Sequence, residues 1–136
     1  MAPLLAAFGF CWMCAAAVLG LVLGVRQDNW MERLEALAKD GLLLDYHREH
    51  SAFRSRVTVH AHAFLFSVVC LLVSVVMSRM ALPQAVETGV AWTLMIATVV
   101  WSVGALARVR AIMGLGDFMF FAAILVTAFG LARQAF

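Results

Sequence analysis

Of the 136 residues, 65% are hydrophobic and only 13% are charged, and the mean hydropathy is +0.96. A water-soluble domain of this length cannot hide that much apolar surface, which excludes a soluble globular protein and points to an integral membrane chain. The net charge of +2 gathers into no basic stripe, which excludes a nucleic-acid binder.

In chain order, apolar runs predict four spans, at 4–25, 57–78, 85–107 and 115–132, in a single domain covering 1–136. Each is close to the roughly 20 residues needed to cross about 30 Å of hydrocarbon. The connections "RMALPQ" and "RVRAIMG" are short, so the spans they join must run antiparallel. The fold class expected is all-α, an integral membrane four-helix up-down-up-down bundle. The opening "MAPLLAAFGF" carries no Lys or Arg, unlike the positive start of a signal peptide, so the first span is expected to be retained.

The connector 26–56 is the one sizeable polar segment. Asn29 and Glu32 have capping-box spacing, and Gly41 marks a helix end. Between them Trp30, Leu34 and Leu37 share one face, while Glu35 and Lys39 form an i, i+4 pair on another. This pattern predicts an amphipathic helix lying at the cytoplasmic interface, with a docking surface for a partner subunit as the sharper reading. Arg26, Arg33, Lys39, Arg48, Arg54, Arg56, Arg108 and Arg110 fall on one side of the spans, and only Arg79 and Arg133 on the other. The positive-inside rule then places the connector in the cytoplasm and both termini outside, in a bacterial inner membrane.

Past Gly41, His47 and His50 sit three apart and share a helical face. With Asp45 or Glu49 they form a candidate divalent-metal site, because imidazole and carboxylate suit zinc or iron. A second histidine pair, His60 and His62 in "RVTVHAHAFLF", opens the second span. Residues two apart on a helix point about 200° away from each other, so the two cannot hold one ion from a regular helix. Downstream of His60 run Ser67, Ser74 and Ser78, a small polar stripe of the kind that faces neighbouring helices. Met95, Thr98, Ser102 and Ala105 form a matching face on the third span. Downstream of His62 run Phe66, Val69, Val73 and Val76, a stripe suited to lipid. His60 is therefore expected to face inward, and His62 to reach the interface or another subunit. Asp117, early in the fourth span, is the expected partner that orients His60.

A histidine early in a membrane helix, behind Arg56 and ahead of the run "AFLFSVV", resembles the haem-ligating segment of haem-copper oxidase and nitric oxide reductase subunits. It is also similar to small four-span bacterial membrane proteins of unassigned function with a His-x-His helix start. The likeness covers about ten residues. It implies His60 or His62 as an axial ligand of haem or another transition metal, in a protein of electron transfer or a redox complex. All four histidines fall between positions 47 and 62, so the opposite ligand must come from a second copy, a partner subunit, or Met113 or Met119.

Cys11 and Cys14 of "CWMC" lie in the first span and Cys70 near mid-depth of the second. Three soft ligands at similar depth are a candidate site for Cu(I) or a thiophilic metal, and the basis of a metal-transporter reading. The alternative is that they pack as small hydrophobes. No carboxylate pair, P-loop, nucleophile elbow or nicotinamide fingerprint occurs, so a self-contained enzyme is not expected. Two classes of function remain beside the transporter: a metal- or haem-binding redox bundle, and an accessory subunit of a larger membrane complex. The expected partners are the lipid bilayer and either a second copy or a larger complex.

Overall fold

Gly41 stops a helix, but Asn29 does not start one. In the computed structural model, which describes residues 1–135, α1 runs unbroken over Ala2–Lys39 and α2 over Leu43–Val76. A 3-10 turn at Met77–Arg79 leads to α3, Gln84–Ala107, and α4, Arg110–Ala135. All four are long and apolar enough to cross a membrane, giving an all-α four-helix bundle. Three predicted spans lie inside one helix each, and the second, 57–78, runs two residues past the end of α2 into the 3-10 turn.

The connector departs from expectation. Between Gly24 and Gly41 there is no Gly or Pro, and most residues are good helix formers, so nothing breaks α1 at Asn29. The face carrying Trp30, Leu34 and Leu37 is the right one, but it turns toward α2, with Leu34 buried. Trp30 meets Phe53 edge-on at 5.0 Å between centroids, and the guanidinium of Arg56 lies 5.0 Å over the same indole. Arg33 pairs with Glu49 at 3.0 Å. The connector is thus a helical hairpin rather than a separate helix laid on a surface. Helix–helix burial has displaced helix–interface burial.

Its turn is set by Gly41, at φ +71, which only a residue without a Cβ adopts freely. The Leu42 amide donates to the Leu37 carbonyl (3.0 Å) and that of Gly41 to Ala38 (3.2 Å), the Schellman pattern. Arg108 ends α3 in the same left-handed conformation, φ 58, with the Val109 amide donating to Gly104 (2.8 Å). The expected loop "RVRAIMG" thereby shrinks to Arg108 and Val109.

The bundle is built from two hairpins. α1 packs along α2, α4 packs along α3, and the hairpins join chiefly through α2 against α3. The core between them holds Leu5, Phe66, Cys70, Leu94, Trp101 and Phe120. The expected α3 face is confirmed, with Met95, Thr98, Ser102 and Ala105 all buried. Ser55 Oγ donates to the Ala105 carbonyl (3.1 Å), which sets Ser55 level with the end of α3. The 43–54 stretch of α2 therefore projects about 18 Å beyond the α3–α4 hairpin, at 1.5 Å per residue. This packing gathers Arg26, Arg33, Lys39, Arg48, Arg54, Arg56, Arg108 and Arg110 at one end of the molecule. Arg79 and Arg133 lie at the other, where the Ala81 amide donates to the Gly130 carbonyl (3.1 Å).

Candidate functional site

The two histidines of "VHAH" leave α2 on opposite flanks, as the helical period requires. His60 turns to α1, where its Nδ1–H donates to the Ala16 carbonyl at 2.8 Å. The ring occupies the space above Gly20. A Cβ there would lie 2.4 Å from His60 Cε1, so no larger residue fits beside this imidazole. Ala16 and Gly20, one turn apart, form a small-residue notch that lets the helices approach.

His62 turns to α3. Its ring stacks on Trp101 at 4.3 Å between centroids and 13° between planes. Its Nδ1–H donates to the Thr58 carbonyl one turn back (3.0 Å). Trp101 is itself buried, with Phe66 edge-on at 5.5 Å, and Phe66 stacks on Phe120 of α4 at 4.1 Å. An aromatic cluster thus joins the three helices, with Phe66 of α2 set between Trp101 of α3 and Phe120 of α4. Sequence reasoning missed it, because nothing local to α3 says which rings of other helices Trp101 meets. The signal that points to it is Gly116 in an apolar helix interior: a Cβ there would fall 2.7 Å from Trp101 Cβ, so α4 must carry Gly to reach the tryptophan.

The expected assignment of faces on α2 is therefore corrected. The stripe below His62 does not face outward, since Phe66 and Val73 are both buried. The serine stripe is inward only in part: Ser67 and Ser74 are buried, while Ser78 is exposed in the 3-10 turn. The outer stripe is Ala61, Phe64, Leu65, Leu72 and Val75. α2 has a helix on each flank, so two stripes are buried where the sequence argument allowed one.

His60 and Asp117 do not meet. Gly116 and Phe120 are the α4 residues against the core, and Asp117, one step of about 100° beyond Gly116, is turned outward and exposed. The two ion pairs found among the described residues, Arg33–Glu49 and Lys39–Glu35, involve neither residue. Asp117 stands on the outer side of α4, where Phe118 and Phe121 are also exposed.

His47 and His50 lie on the projecting hairpin, on either side of Tyr46, which stacks on His50 at 5.8 Å and meets His47 edge-on at 5.7 Å. Glu49 is engaged with Arg33 and Asp45 is exposed. His50 borders an apolar groove of about 310 Å³ between the two helices, lined by Met31, Leu34, Tyr46 and Phe53 with Glu35 and Arg54 at the rim. The cysteines do not converge either. Cys70 is fully buried, whereas Cys11 and Cys14 are exposed on the outside of α1. Among the described residues, no group of three or more His, Cys, Asp or Glu side chains is placed to hold a metal ion.

What this arrangement does chemically is fix tautomers. A backbone carbonyl can only accept, so His60 and His62 each carry a proton on Nδ1 and leave Nε2 for other use. Four interior hydroxyls bond carbonyls of their own helices: Ser67 to Ala63 (2.6 Å), Ser74 to Leu71 (2.7 Å), Thr98 to Leu94 (2.8 Å) and Thr127 to Ala123 (2.8 Å), while the buried Ser102 Oγ has no protein partner. Such bonds satisfy the hydroxyls within the helix that carries them. Comparison of the chain with protein-family models, curated proteins and solved structures returns no match.

Proposed function

We propose that this chain is an accessory subunit of a larger assembly in a bacterial cytoplasmic membrane, with its basic end and projecting hairpin in the cytoplasm and both termini outside. The observation that carries this reading is Asp117. It lies about 10 Å along α4 from Arg110, exposed near the exposed apolar residues Leu115, Phe118, Phe121 and Leu125. A carboxylate turned to hydrocarbon costs up to about 3 kcal/mol, so such residues face protein. The α4 face meets a helix of another subunit, which presents a basic or hydrogen-bond-donating side chain to Asp117. The hairpin groove gives the same neighbour a second contact, beyond the bilayer surface.

The size of the assembly released from membranes in mild detergent tests this reading. Asp117→Leu is expected to free the chain as a folded monomer with unchanged helicity, and Asp117→Asn to loosen the assembly partly. An Asp117→Leu protein that keeps the native size overturns the proposal.

A second reading is favoured by the free Nε2 atoms of His60 and His62. A ligating imidazole commonly donates its other N–H to a carbonyl, as both do here. Because they diverge, each would bind haem or a transition metal separately, with a second ligand from another subunit. A Soret band in the protein purified from its native membrane, lost in His60→Ala or His62→Ala, supports it. A colourless, metal-free assembly of native size counts against it.

A further inference from the structure

N-terminal to His62 along α2, a pocket of about 340 Å³ opens where α2 passes the turn between α3 and α4. Ser51, Ser55 and Thr58 line it from one face of α2, and Arg108, Arg110 and Met113 from the other side. We infer that this pocket binds a phosphate group, presented either by an anionic lipid headgroup or as a free phosphate.

Charge comes first. Two arginines, Arg108 and Arg110, line one pocket that no Asp or Glu lines. Neither is in an ion pair among the described residues, where the pairs are Arg33–Glu49 and Lys39–Glu35. Guanidinium forks match phosphate oxygens in paired, charge-assisted hydrogen bonds. Geometry comes second. The polar lining comes from different elements, with Ser51 and Thr58 on α2 and the arginines on the opposite wall. That spread suits a tetrahedral oxyanion better than a planar carboxylate. The first amides of α4, at Arg110 and Ala111, have no partner within their own helix and add to the same potential.

Depth comes third. The pocket sits level with the Ser55–Ala105 hydrogen bond, at the ends of the apolar parts of α2, α3 and α4. In a bilayer this is the headgroup level, where basic pockets between helices take anionic lipids. The inference holds whether or not α4 meets a partner.

Native mass spectrometry of the full chain in uncharged detergent tests it, with phosphatidylglycerol, phosphatidylcholine and inorganic phosphate as separate probes. Phosphatidylglycerol is expected to stay bound in preference to phosphatidylcholine, and Arg108→Gln with Arg110→Gln to weaken it at least about tenfold. Arg26→Gln with Arg48→Gln, which removes the same charge outside the pocket, is expected to change it less than about twofold. Arg108→Gly, which suits the left-handed backbone, should also lose the lipid, so that loss does not reflect misfolding. If inorganic phosphate binds with the same arginine dependence and lipid shows no preference, the ligand is a free phosphate. Retention of phosphatidylglycerol by the Arg108/Arg110 variant, or equal loss in the Arg26/Arg48 control, overturns the inference.

Discussion

The Nδ1 of His60 lies 2.8 Å from the carbonyl oxygen of Ala16, and its ring fills the space left by the absent side chain of Gly20. Size and hydrogen bonding are therefore coupled across the α1–α2 seam. Gly20→Ala is expected to push the imidazole out and destabilise the protein by about 1–3 kcal/mol in detergent unfolding. Adding His60→Ala should recover part of that loss, since the smaller side chain removes the clash. Additive losses in the double mutant would show that the two residues are not coupled.

The His62–Trp101 stack makes a different demand. His62→Ala is expected to cost about 1 kcal/mol beyond lost packing and to change the fluorescence of Trp101. His62→Phe keeps a flat ring over the indole and should retain most of the stability. Equal damage from both substitutions would give the role to the Nδ1 hydrogen bond with Thr58 instead.

Arg108 holds a left-handed backbone, φ 58, that Gly adopts without strain. The conformation costs a non-glycine residue about 1–2 kcal/mol, against about 0.5–1 kcal/mol of added chain entropy for Gly. Arg108→Gly is therefore expected to leave the protein as stable or more so by up to about 1 kcal/mol, measured by thermal unfolding. A clear drop in melting temperature would mean that the arginine side chain contributes more to the fold than its backbone strain removes.

The projecting hairpin should be held by its apolar seam rather than by its ion pair. Arg33 is 65% exposed, so Arg33→Ala is expected to cost under about 1 kcal/mol. Leu34 is 6% exposed, and Leu34→Ala should cost about 2–3 kcal/mol. Amide exchange over 28–53 is the direct measurement. Faster exchange in the Arg33 variant than in the Leu34 variant would reverse the ranking.

The three cysteines should separate by burial. Cys11→Ala and Cys14→Ala lie on the outer face of α1 and are expected to change stability by less than about 0.5 kcal/mol. Cys70, with no exposed surface, should cost about 1 kcal/mol or more on replacement by Ala. Loss of a bound metal from the Cys11/Cys14 double variant would instead restore the soft-metal reading.

Sequence alone determined the number of long apolar helices, their antiparallel order and the basic end, because runs of about 20 apolar residues and short loops leave few alternatives. It also determined the stop at Gly41 and the divergence of His60 and His62, since both follow from backbone geometry within a few residues. What it left open was which neighbour each face meets. The stripe below His62 reads as lipid-facing only while α2 is assumed to have one packed flank, and α3 supplies a second. Asp117 reads as a partner for His60 only while α4 is assumed to present that edge, and the contact of Gly116 with Trp101 turns it outward. The connector reads as surface-lying because an apolar stripe has the same period whether it meets lipid or another helix. Such choices rest on contacts between residues far apart in the chain, which no local pattern encodes.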